Sequence, residues 1–294
     1  MLATVSSPLE IIESNLLDMD PLPTVVEPHL RELPGIRAVL FDIYGTLLIS
    51  AAGDVQEGNV ESSKDAMGRV LAKAGISTTL PTGELLGQFQ GILQGHQDLR
   101  RKRGITYPEV EIRAVWRDFV RHISGMEPSL EDTGSLATWF EMWTNPVCLM
   151  PGAQELLRRI STSPLLCGLV SNAQFYTRPV LETCLGQTLE SLGIPGYLTA
   201  FSYEFLEGKP STAMFEYCAN SLDEVAGIRP EETLFVGNDR LKDLYPANQV
   251  GFQTALFAGD ARSLRLREEE PLCEGLEPDL IITELGQLAG CLLG

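Results

Sequence analysis

Apolar positions are scattered along the first part of the chain until Ala38-Val39-Leu40-Phe41, an unbroken run with no helical stripe. Such a run suits a strand buried on both faces of a parallel sheet. Asp42 follows at once, then Gly45 and Thr46, so a carboxylate is expected where a buried strand gives out, with a tight turn and a hydroxyl behind it. From about Glu61 to Trp143 the period becomes helical, with Val70, Leu71 and Ala74, then Leu85, Leu86, Phe89, Ile92 and Leu93, then Val115, Trp116, Phe119 and Val120. Gly75, Pro81, Gly83, Gly104, Pro108, Gly125 and Pro128 punctuate the run, which predicts several helices with no strand between them. Strand pattern resumes near 165–171, 197–201, 233–237, 252–256 and 279–283, with helical segments between, as in a parallel sheet with right-handed crossovers.

The predicted architecture is α/β, a doubly wound, Rossmann-like parallel sheet core with an inserted all-helical cap domain. Residues 37–54 and 149–294 form the core and 55–148 the cap. Residues 1–36 are an N-terminal arm packed on the core, a short helix followed by Pro21, Pro23 and Pro28, which prevent a long one. The small residues at 49–54 suit a hinge or flap beside a site.

Composition narrows the function classes. The 294 residues are 44% hydrophobic and 21% charged, as in ordinary globular proteins. Forty acidic against 22 basic residues give a formal charge of −18, which argues against a broad nucleic-acid or anionic-membrane footprint. An anionic small-molecule substrate must therefore be held by local cations, helix N-termini or a metal. Six cysteines without a Cys-x-x-Cys pair suit free thiols in a reducing compartment. With no basic leader and no apolar run of roughly 18–20 residues, a cytoplasmic protein is expected.

Three further segments carry candidate chemistry. The second strand ends in Ser171-Asn172; Lys209 precedes Pro210 between the third and fourth strands; Gly237 is followed by Asn238, Asp239 and, four residues on, Asp243. Each has a plain structural reading: Asp42, Ser171 or Asn172 as a cap, Lys209 as a surface residue, Asp239 and Asp243 as acids stabilising a helix dipole. A helix starting at Asp239 would put both acids on one face near Asp42, ready to hold a hard divalent cation. Arg100-Arg101-Lys102-Arg103 is the one dense basic cluster; it reads as a solvated helix end, or less readily as Arg100 or Arg101 reaching a substrate anion.

In their order and on their expected elements, these segments resemble the four motifs of the haloacid dehalogenase-like hydrolase superfamily, and the insertion sits where its type-one cap does. The resemblance implies a nucleophilic Asp42 that forms a covalent aspartyl intermediate, with Thr46, Ser171, Asn172 and Lys209 around the transferred group. It implies Mg2+ held by Asp42, the Tyr44 backbone carbonyl and the group Asn238, Asp239 and Asp243. Two departures matter: Tyr44 stands where most phosphatases of the superfamily carry a second aspartate, a form seen in 2-haloacid dehalogenases, and Asn238 stands where an acid commonly follows the glycine. The expectation is a Mg2+-dependent phosphohydrolase acting on a small phosphorylated metabolite with a good leaving group. The alternatives are a metal-independent 2-haloacid dehalogenase-like hydrolase and, third, a catalytically silent small-molecule binding protein.

Overall fold

The computed structural model describes residues 6–52 and 60–293. Strand β1 (Ala38–Phe41) is the apolar run, and every residue in it is fully buried. Burying such side chains contributes roughly 1.5–3 kcal/mol for each large one, which is why a stretch like this takes the middle of a sheet. It lies between β4 (Leu166–Ser171) and β6 (Thr233–Gly237), both parallel to it. With β5 (Thr199–Phe201), β7 (Gln253–Phe257) and β8 (Leu280–Ile282) the parallel sheet runs in the order β5-β4-β1-β6-β7-β8. Alternate side chains serve opposite layers. Val39 and Phe41 join one core with α6 (Ala153–Ser161) and α11 (Leu285–Leu292); Ala38 and Leu40 join another with α9 (Ala213–Ala226) and α10 (Tyr245–Val250). The doubly wound α/β core is therefore as expected.

The helical cap is built from α2 (Val60–Lys73), α3 (Thr82–Arg101), α4 (Ile112–Ser124) and α5 (Leu130–Thr144). Helix α2 packs on α3 and α5, and α4 packs on α3 and α5. The stripe Val115, Trp116, Phe119 and Val120 is fully buried, and Phe89 meets Trp116 at a tilt and Phe119 edge-on, at ring separations of 4.9 and 5.4 Å. Ser129 and Asp132 form a capping box that starts α5.

One pairing was not expected. The two chain crossings between sheet and cap, β2 (Leu48–Ser50) and β3 (Val147–Leu149), pair antiparallel as a short ribbon. A three-residue strand carries too little periodicity to be read from sequence. Part of the expected flap at 49–54, the expected core-to-cap boundary at 54/55 and the first five residues of the arm lie outside the described residues.

A further contact joins cap to core. The loop after α3 lies beside residues 206–208: the Glu109 N–H donates to the Leu206 carbonyl at 3.0 Å and the Gly208 N–H to the Tyr107 carbonyl at 2.9 Å. Gln174 ties the same loop through Val110 and Ile112, and Ser202 donates to Glu109. Ahead of β1, α1 (Pro8–Glu13) packs on α5 and on α7 (Thr177–Leu185), and His29 exchanges backbone bonds with Ile281 of edge strand β8. Among the described residues no helix is long and apolar enough to cross a membrane.

Candidate active site

Parallel strands deliver their carboxyl ends to one edge of a sheet, and the residue after each central strand meets the others there. Asp42 follows β1, Ser171 ends β4 and Asn238 follows β6. Asp42 is held by its own N–H on the Val236 carbonyl at 2.9 Å. Its Oδ1 accepts from Ser171 Oγ at 3.0 Å and from Lys209 Nζ at 2.6 Å, which leaves Oδ2 for an electrophile. The same ammonium donates to Asp243 Oδ1 at 2.5 Å and to the Val170 carbonyl at 3.2 Å. All three charged groups are buried.

One cation between two buried carboxylates sets the electrostatics. Burial works against the charge on Lys209, but Asp243 and Asp42 outweigh it and hold the ammonium above its usual range. Asp243 is pushed above the usual carboxylate range, chiefly by burial and further by Asp42 and Asp239, against the pull of Lys209.

The fourth motif differs locally from the expected regular helix. Residues 240–244 form a single wide turn with five-residue spacing, and Asp239 is its N-cap. The turn swings Asp243 back so that its Oδ2 accepts from the N–H groups of Asn238 and Asp239 at 3.0 and 2.9 Å. Gly237 permits this approach, since a Cβ there would lie 2.5 Å from the Asp243 carboxyl. Asp239 lines the same cavity as Asp243, but on a wide turn rather than on the regular helix that the sequence predicts. Its carboxylate caps Leu241 and Lys242 and pairs with Arg267 at 2.6 Å, a cation twenty-eight positions away that nothing in the motif announces.

Asn238 is fixed at both ends of its amide, accepting from Thr46 Oγ1 at 3.2 Å and donating to the Ser263 carbonyl at 2.6 Å. Gly45 has φ +85°, and a Cβ on it would meet Ser263 and Asn238 at under 3 Å. Thr46 is fully buried in this contact and does not line the cavity, so its hydroxyl serves the Asn238 amide. Asn172 lines the cavity but also grips the backbone of Lys209, accepting from its N–H at 2.7 Å. Arg101 lines the cavity while paired to Asp98 at 2.7 Å; Arg100 does not reach it.

Tyr44 lines the cavity with its hydroxyl 3.0 Å from Thr177 Oγ1. Burial, reinforced by nearby Glu141, pushes its phenol far above its usual range. Two carboxyls on the cavity wall, half-buried Glu109 and buried Glu141, escaped sequence reading. Glu109 accepts from Ser202 and the Val110 N–H, and Glu141 from Asn145 at 3.0 Å and Tyr176 at 2.9 Å. Isolated acids in a helical segment give no signal of burial; only the assembled walls do.

Burial pushes Glu141 up, against the hydrogen bonds from Asn145 and Tyr176. A carboxyl raised on folding contributes stability that is full below its unfolded pKa and is lost as pH rises through the folded one. Glu141→Gln keeps the shape and removes that titration. Thermal melts at pH 5 and pH 8 should show the variant gaining on the wild type at the higher pH; a difference that does not change with pH would exonerate Glu141.

Residues 36–251 match the family described as haloacid dehalogenase-like hydrolase. The chain belongs to that family. Among curated relatives of this hydrolase, a ribulose-1,5-bisphosphate 5-phosphatase of Halopiger xanaduensis is 25% identical over 197 residues, covering 66% of this chain and 77% of the relative. A phospholysine phosphohistidine inorganic pyrophosphate phosphatase of Xenopus laevis is 26% identical, covering 76% and 83%. Among solved structures, a 2-haloacid dehalogenase from Pseudomonas syringae superposes with a TM-score of 0.56 at 18% identity, covering 87% of this hydrolase and 97% of that chain.

Proposed function

We propose that this hydrolase is a phosphohydrolase in which Asp42 is the nucleophile. The observation that carries the reading is the buried constellation of Asp42, Ser171, Lys209 and Asp243, supported by the phosphatase names of two relatives. Asp42 Oδ2 attacks phosphorus, the bond from phosphorus to the leaving oxygen breaks, and water then hydrolyses the aspartyl phosphate and returns the carboxylate. Lys209 and Ser171 steady the nucleophile and neutralise incoming negative charge.

The central charges fit a divalent cation. Two buried carboxylates share one ammonium, and a phosphate would add further negative charge. Asp42 and Asp243, with the Asn238 amide oxygen and Tyr44 carbonyl, supply the hard oxygen donors, and Mg2+ commonly needs only one or two carboxylates besides water and phosphate. When bound, Mg2+ supplies Lewis-acid polarisation of the phosphoryl oxygens. Asp239, turned to Arg267, stands outside this set.

No carboxylic acid stands at position 44, and a phenol raised by burial and engaged with Thr177 is a poor proton donor. The leaving group is therefore one that departs without a proton, such as the carboxylate of an acyl phosphate or the phosphate of an anhydride. Purified protein should cleave acyl and aryl phosphates faster than alkyl phosphates by roughly the 10²–10⁴-fold that general acid catalysis is worth. Mg2+ should be required and EDTA should abolish turnover. Equal rates on alkyl and aryl esters would defeat the argument from Tyr44.

A second reading, a metal-independent 2-haloacid dehalogenase-like hydrolase, is favoured by one observation: Tyr44 lines the cavity where most phosphatases of the superfamily carry a second aspartate. Turnover of 2-haloacids, undiminished in EDTA, would select it.

A further inference from the structure

The cavity that holds Asp42 extends beneath the cap to about 750 Å³, within the range of sites for drug-sized molecules. Much of its polar lining is already bonded to protein. Glu109 is engaged by Ser202, Glu141 by Asn145 and Tyr176, Tyr44 by Thr177, and Gln174 by the backbone of Val110 and Ile112. Among these groups Leu86, Phe89 and Leu93 from α3, Ile112 and Trp116 from α4 and Phe140 from α5 form an apolar stretch of wall, with Gln90 and Gln97 of α3 beside it. The rings of Phe89, Trp116 and Phe140 contact one another at 4.9 to 5.9 Å, so this stretch is an aromatic cluster. Trp116 is fully buried, and its indole N–H has no hydrogen-bond partner in the protein.

Resting on the phosphohydrolase reading, we infer that the part of the substrate left after phosphoryl transfer is an apolar group about the size of an aromatic ring, seated in this chamber. On this stretch of wall a sugar or polyol would press its hydroxyls against Leu86, Phe89, Leu93 and Phe140 and leave them without partners, at the cost of burying an unpaired hydroxyl. An apolar ring would fill the same space and leave the bonded polar groups undisturbed.

Phosphonates separate this inference from the catalytic one, because their carbon–phosphorus bond is not hydrolysed and binding needs no turnover. Calorimetry on the full chain with Mg2+ should show benzylphosphonate binding at least about tenfold more tightly than 2,3-dihydroxypropylphosphonate, the scale on which apolar pockets discriminate. Leu93→Asn, at a half-buried wall position, should shrink that preference to below about threefold. Equal affinities, a preference for the diol, no measurable binding of either probe, or a preference untouched by Leu93→Asn would each overturn the inference. Failure of the phosphohydrolase reading would appear elsewhere, as an absence of phosphate release from every phosphate offered.

Discussion

Asp42→Asn should leave a folded protein whose phosphate release falls by at least about 10⁴-fold, the scale seen when a nucleophile acting with its neighbours is removed. The fold should survive because the substitution is isosteric and Lys209 keeps Asp243 as its partner, so no charge is stranded. Ser171 can still donate to the amide oxygen. The measurement is phosphate release from an acyl phosphate by protein free of host phosphatase, alongside a thermal melt. Retention of more than a few per cent of activity with an unchanged melt would remove Asp42 from the role of nucleophile.

Lys209→Met should be more damaging to stability and comparably damaging to rate. Methionine fills much of the same volume but leaves Asp42 and Asp243 facing one another with no cation between them. Breaking a buried pair by removing one partner costs about 3–5 kcal/mol, against a typical domain stability of about 5–15 kcal/mol. A denaturant titration of the variant should show a loss on that scale. Asp42→Asn combined with Lys209→Met should recover part of it, because the double variant strands one carboxylate where the single variant strands two. No recovery would mean that the two side chains are not energetically coupled.

Much of this site could be read before the fold was seen. The apolar run that ends at Asp42, the hydroxyl after the second strand and the acids after Gly237 are one-dimensional signals, because each is set by a strand and the residue that follows it. Lys209 was legible by its place between strands rather than by its neighbours. The arrangement around Asp239 was not legible. Its partner Arg267 lies on a distant loop, and the wide turn that separates it from Asp243 depends on hydrogen bonds back to the strand end rather than on helix propensity. The role of Thr46 was likewise hidden, since it depends on where the Asn238 amide is pinned by Ser263. Glu109, Glu141 and Tyr176 belong to the cavity only because cap and core meet there, and that meeting has no local signature.

The two backbone bonds between the loop after α3 and residues 206–208 have a mechanical consequence. They end on Leu206 and Gly208, and Gly208 adjoins Lys209. A cap that lifts to exchange ligand must release that loop or pull on the peptide next to the ammonium that aligns Asp42. Cap and site thus share a tether at residues 206–208, fastened alongside the bonds from Gln174 and Ser202.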